Sequence, residues 1–511
     1  MNRNSVLGRV ALLLLVCALL SCGVTVGTRA QDTREPVGPG QFYPRSSSTL
    51  KAAVQAMLAD AVPPRPETPV AIVVPHAGYV FSGQIAADGF RQAAGHLYET
   101  VVIIGTNHTS ATFRKIGICP GTSFRTPLGS VPIDQKFVAA LQKEDDDCVM
   151  DAGVHRTEHS VEVQVPFVQH LFPNAKIVPL IVGRPDQAMS VRLGRALATL
   201  AKGSQVLLVA SSDLSHYPKA DDASRVDRRT LETIASLDVD AFYRNEFADA
   251  GAAVPELVTH ACGAGAIMAV MTAARSLGAT HAVVVSYANS GDTTAGDSAR
   301  TVGYGAVAFT SGPKGADVKV LEPVAADTGA LQAEDRKALL AFARNTITRY
   351  LTTETFPLAR RGLSPRTLQE RGVFVTLNEK HELRGCIGNI RGGVPLGRLV
   401  GAMAYAAAFE DPRFEPVRLE EMRDIEIEIS ILSPPRTVSG PSDIVVGRDG
   451  VVIAADNRSA VFLPQVAPEQ GWNRDQMLDN LCIKAGLAAG RWRRPSMTFA
   501  TFQADVFHEG Q

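Results

Sequence analysis

Between residues 34 and 310 the apolar positions gather into short, nearly unbroken runs at 70–74, 101–104, 177–182, 206–210 and 282–286. Runs of this length without polar alternation suit strands that are covered on both faces. The stretches between them carry helical periodicity, at 161–171, 190–201 and 264–276. The pattern therefore predicts an α/β domain in which a mostly parallel sheet is flanked by helices. Periodicity lapses at Ser311-Gly312-Pro313-Lys314-Gly315-Ala316-Asp317 and returns near Leu331, which puts the first domain over 34–311 and a linker over 312–330. From 331 to 511 the order is mixed: a helix over 333–351, strands over 373–377, 425–432 and 451–455, and a helix over 475–485. That order predicts a second domain of α+β type.

The N-terminus has a different pattern. Arg3 and Arg9 precede the apolar run 10–20, which closes on Leu19-Leu20-Ser21-Cys22. The run is shorter than the roughly 20 residues that span a bilayer. Basic residues, a short apolar core and a small residue before cysteine resemble a lipoprotein-type signal peptide. The resemblance implies a signal over 1–21, lipidation of Cys22, a tether over 22–33 and a membrane-anchored protein facing the periplasm or exterior. A misassigned start codon would instead imply a cytoplasmic chain.

A chain of 511 residues with 45% apolar content needs more than one core. Its 51 Lys and Arg nearly balance 52 Asp and Glu, so no global field attracts a polyanion and nucleic acid is not an expected partner. Setting Cys17 and Cys22 aside leaves Cys119, Cys148, Cys262, Cys386 and Cys482. In this odd set at least one thiol stays unpaired.

In an open α/β sheet ligands bind beyond the carboxyl ends of the strands, and here those ends are rich in chemistry. The first run leads into Pro75-His76-Ala77-Gly78-Tyr79, the second into Gly105-Thr106-Asn107-His108, and a later one into Ser211-Ser212-Asp213-Leu214-Ser215-His216. To these are added His155-Arg156-Thr157-Glu158-His159-Ser160-Val161-Glu162 and Thr259-His260-Ala261-Cys262-Gly263. Imidazole and thiolate suit iron(II), zinc and copper, and two histidines with one anionic group leave coordination positions open. Cys262 precedes a predicted helix, whose terminal amides are expected to lower its thiol pKa. Asp213, His216, His159 and Glu162 are the candidates for orienting ligands or moving protons, with His159 and Glu162 expected three residues apart on one helix.

The same residues carry a family resemblance. Arg34-Glu35-Pro36, Gln41-Phe42-Tyr43-Pro44, the His76 segment, His159-Ser160-Val161-Glu162, Ser211-Ser212-Asp213 with His216, and Cys262-Gly263 together resemble the Memo-like family, also described as AmmeMemoRadiSam system protein B. That family is similar in fold to class III extradiol dioxygenases, whose iron is held by two histidines and a glutamate. The resemblance implies His76, His108 and Cys262 as metal ligands, with cysteine in place of the carboxylate. Iron(II) is the expected metal, with copper or zinc as alternatives.

In the second domain, Leu383-Arg384-Gly385-Cys386-Ile387-Gly388, Phe409-Glu410-Asp411-Pro412-Arg413-Phe414, Leu463-Pro464-Gln465-Val466 and Gln470-Gly471-Trp472 resemble the AMME-region family, system protein A. Cys386 lies between glycines, as expected where backbone turns sharply or approaches a ligand, and Arg384 is a candidate anion contact. The resemblance implies a radical S-adenosylmethionine protein as partner, although no Cys-x3-Cys-x2-Cys cluster motif occurs in this chain. No Gly-x-Ser-x-Gly or P-loop motif occurs either. The leading expectation is a metal-dependent oxidoreductase-like protein acting on a small molecule. The alternatives are a non-catalytic adaptor that binds a peptide or other ligand, and an envelope metal-binding protein.

Overall fold

The computed structural model describes residues 33–247, 254–322, 324–359 and 361–510. The signal-like segment and Cys22 lie outside them. Among the described residues no helix is long and apolar enough to cross a membrane.

Twelve strands build the first domain: β1 (Thr33–Arg34), β2 (Ala71–Val74), β3 (Thr100–Thr106), β4 (Ile116–Ile118), β5 (Ser123–Thr126), β6 (Gly129–Pro132), β7 (Cys148–Met150), β8 (Lys176–Val182), β9 (Val206–Ser211), β10 (His281–Asn289), β11 (Gly303–Thr310) and β12 (Gly315–Asp317). Nine of them form one sheet in the order β12-β10-β11-β2-β9-β3-β8-β4-β7. The four central strands β2, β9, β3 and β8 are parallel, as the continuous apolar runs require. The sheet as a whole is mixed, because β11 runs antiparallel to both β2 and β10, and β4 antiparallel to β8. The expectation of a mostly parallel sheet therefore holds only for the centre. The connection from β10 to β11, residues 290–302, holds a 3-10 turn and no crossover helix, and strand length alone does not reveal that.

Two other expectations change. The helix expected over 161–171 is broken into a 3-10 turn (Glu162–Gln164) and a helix (Val165–Leu171) with proline in its first turn. Gly315–Asp317, within the expected linker, pairs with His281–Val283 and extends the sheet edge.

The second domain has two sheets and two separate cores. The order β14-β13-β15-β20 combines β13 (Val373–Glu379), β14 (Glu382–Asn389), β15 (Ile425–Leu432) and β20 (Ala504–His508). Its inner face packs Val375, Leu377, Ile427 and Ile429 against the helices Ala333–Thr353 and Leu396–Phe409. The order β16-β19-β17-β18 combines β16 (Arg436–Val438), β17 (Gly450–Ala455), β18 (Arg458–Phe462) and β19 (Thr498–Phe502), closed by the helix Arg474–Lys484 around a core of its own. This mixture agrees with the α+β expectation.

The domains meet through arginines of the second and acceptors of the first. Helix Ala333–Thr353 packs on helix Ser47–Ala59. Arg349 pairs with Asp60 and donates to Gln84 Oε1 at 3.1 Å. Arg361 pairs with Asp88 and donates to the Asp60 carbonyl, and Arg398 donates to the carbonyls of Thr293 and Gly296. Asp88 is fully buried, and its other contacts are the Val62 amide and the Gln84 amide. Removing the arginine leaves a buried carboxylate short of its counter-charge. Arg361→Ala is therefore expected to destabilise the full chain by about 1–3 kcal/mol in denaturant unfolding, with Asp88→Asn recovering much of the loss. Additive single and double variants would contradict the pairing.

Candidate metal centre

The carboxyl ends of the parallel strands converge as the sheet topology requires. β2 ends two residues before His76, β3 two before His108, and β9 two before Asp213. Cys262 stands just ahead of the helix Ala264–Ser276, whose N-cap is Gly263. Two glycines permit this convergence. A Cβ on Gly105 would collide with Ser160, and one on Gly263 would reach within 2.6 Å of the Ser211 carbonyl.

His76, His108 and His159 bring their ligating nitrogens within 4.8 Å of one another. The Cys262 sulfur lies 3.1 Å from His76 Nε2. His159, expected only as an acid/base candidate, thus joins the two predicted ligands, sandwiched between Phe42 at 4.0 Å and His108 at 4.9 Å between ring centroids.

Hydrogen bonding fixes which nitrogens face the centre. Ser211 Oγ spends its one proton on the Ser160 carbonyl at 2.6 Å. His76 Nδ1, 3.0 Å from that oxygen, must then donate, which leaves the Nε2 lone pair free. His108 Nδ1 lies 3.0 Å from Glu158 Oε1, so its Nε2 is likewise free.

Glu158 is the residue that sequence reasoning missed. It is almost fully buried and accepts from the backbone amides of His108, His159 and Ser160 as well as from the His108 ring. Burial alone would raise its pKa, but the His108 ring and these amides overcome that and hold the carboxyl down at about 2. Its only signal in the sequence was its place one residue before His159, which does not separate it from any other loop acid.

The other predicted groups divide. Asp213 Oδ1 accepts from the amides of His76 and Ala77 at 2.7 and 3.2 Å, and its carbonyl accepts from the Cys262 amide. It joins two ligand-bearing loops, and burial raises its pKa to about 6. His216 has a buried Nε2 with no partner among the described residues, and burial followed by the nearby His108 charge lowers its pKa to about 4. Burial followed by the flanking imidazoles also lowers His76, and burial lowers His159 to about 4, so both are held neutral as metal binding requires.

Two expectations are corrected. Glu162 does not share the site with His159, because the 3-10 turn directs it to Arg34, to the Tyr43 hydroxyl and to the amides of Val37 and Gly38. It is a buried structural acceptor that holds the first strand. The Cys262 thiol is raised well above its ordinary pKa rather than lowered, because burial, then the Asp213 charge, outweigh its hydrogen bonds. In the second domain Arg384 is engaged with Glu421 at 2.9 Å, while Cys386 receives a hydrogen bond from Thr376 Oγ1 at 3.3 Å. All five described cysteines are free thiols.

Outer hydrogen bonds to ligating imidazoles commonly carry tenfold or greater effects on affinity. Glu158→Gln is expected to weaken metal binding by about 10–100-fold in competition with a chromophoric chelator. Affinity within about twofold of the parent, with folding intact by circular dichroism, would contradict this role.

The arrangement has known relatives. The Memo-like protein family matches residues 34–308 and the AMMECR1 family residues 340–507. A MEMO1 family protein of Caldivirga maquilingensis is 34% identical over 288 residues, covering 54% of this chain and 99% of the relative. One from Methanococcoides burtonii is 36% identical over 277 residues, covering 54% and 98%. Among solved structures, an uncharacterised protein of Pyrococcus horikoshii is 36% identical over 34% of this chain and 93% of its own, with a TM-score of 0.33. The chain belongs to the Memo-like protein family and carries an AMMECR1 domain behind its Memo-like domain.

Proposed function

We propose that the first domain is a metal-dependent oxidoreductase-like centre, related in fold to extradiol dioxygenases, that acts on a small organic substrate. The observation that carries this reading is the convergence of three imidazoles and a thiol at the strand ends. This donor set fits iron(II) first and copper or zinc next. His76 and His108 would hold the metal through Nε2 with Cys262 as the anionic ligand, and His159 faces the same point. Bound iron(II) would supply a redox-active Lewis acid with positions open to dioxygen or substrate.

The remaining residues have separable tasks. Ser211 and Glu158 orient the His76 and His108 rings. Asp213 fixes the spacing between the His76 and Cys262 loops through its hydrogen bonds. His216, with its buried unpartnered nitrogen, is the group for holding or moving a substrate proton. A site that only sequesters metal has no use for such a nitrogen.

Dioxygen uptake by the iron-loaded full chain, with catechols and small hydroxylated aromatics as probes, tests the reading. Uptake above an iron blank is expected, and His216→Gln should lower it at least about 100-fold with metal content unchanged. No uptake with any probe, together with metal-independent peptide binding, would favour an adaptor instead.

A further inference from the structure

The second domain contains a cavity of about 650 Å³, a size that suits a small molecule. It follows from the two-core construction. The sheet β14-β13-β15-β20 gives one face to its own core, and the β18 hairpin with the helix Val466–Glu469 roofs the other. The cavity floor is therefore set by strand register. Thr376 pairs with Cys386 on one side and with Glu428 on the other, so all three stand in one row across three strands. Two strand spacings separate Cys386 from Glu428, about 10 Å.

The two ends of the row differ in chemistry. At one end the Cys386 sulfur accepts from Thr376, and Lys484 and Arg413 line the wall. Arg413 is held by Asp411 in a two-pronged pair at 2.9 and 2.6 Å. Burial raises the Cys386 thiol and lowers the Lys484 ammonium, which donates to the Val461 carbonyl at 3.0 Å. At the other end stand Glu426, Glu428 and Glu469. Glu426 pairs with His508, whereas the side chains of Glu428 and Glu469 have no hydrogen-bond or ion-pair partner among the described residues. Burial, then repulsion by Glu469, raises Glu428. Gln465 contributes a buried, unpartnered Oε1 to the same lining. Unpaired acceptors flanked by the rings of Phe374 and Phe462 suit a cationic nitrogen.

We propose that this cavity is a second reaction centre, in which Cys386 takes an acyl group from a small thioester whose cationic nitrogen sits against Glu428 and Glu469. The Cys386 sulfur forms a bond to the acyl carbon and the carbon–sulfur bond of the incoming thioester breaks. The thiol proton goes to the leaving sulfur, which departs as a free thiol. No oxidant or reductant takes part. This centre is independent of the histidine cluster and needs no metal.

The test uses two N-acetylcysteamine thioesters, one of 4-(trimethylammonio)butanoic acid and one of its neutral isostere 5,5-dimethylhexanoic acid. Each is incubated with the full chain and followed by intact-mass spectrometry and peptide mapping. One acyl group on Cys386 is expected, with the cationic thioester at least about tenfold faster than the neutral one. Cys386→Ser should abolish the adduct. Glu428→Gln should remove the preference while Cys386 still reacts. Equal rates in the parent chain, acylation spread over other cysteines, no adduct at all, or a preference that survives Glu428→Gln would each overturn the proposal.

Discussion

The buried carboxylate of Glu158 is the contact on which the first domain's site depends. It accepts from two backbone segments and one imidazole at once, tying the loop after β3 to the loop that carries His159. A buried acid is tolerated only when such donors surround it. In meeting that requirement the chain aligns His108 and His159 face to face. Ser211 plays the matching part for His76 by accepting its Nδ1 proton and donating its own to Ser160. The nitrogens of the histidine cluster are thus aimed by protein hydrogen bonds.

The two domains are joined by more than a peptide linker. Arg349, Arg361 and Arg398 reach acidic and carbonyl acceptors of the Memo-like domain, and Arg398 starts from the helix Leu396–Phe409, which also packs on β14. β14 carries Cys386. The same helix therefore touches the first domain on one side and the strand that carries Cys386 on the other.

Much of this was legible in the sequence because the physical signals were local. Apolar runs marked the four parallel strands, and the histidines directly after them marked the site. The AMME-like strings marked the second domain. What was not legible depends on contacts between distant segments. The sequence shows neither that β11 runs antiparallel nor that the turn at Glu162–Gln164 points Glu162 away from His159. Cys262 was read from its place before a helix, which favours a thiolate, whereas burial beside Asp213 proved the larger effect. The helix Leu396–Phe409 escaped notice because its Ala- and Gly-rich sequence has little amphipathic contrast. Strand β14 was hidden by its glycines: a Cβ on Gly385 would meet the Ala407 carbonyl, and one on Gly388 the Phe374 ring.

Elemental analysis of the full chain, isolated without oxygen and without added metal, tests the central claim most directly. Near one iron per chain is the predicted result, with its loss in a His76→Ala, His108→Ala double variant that remains folded. A chain that holds no iron, copper or zinc, even after reconstitution, would contradict the account.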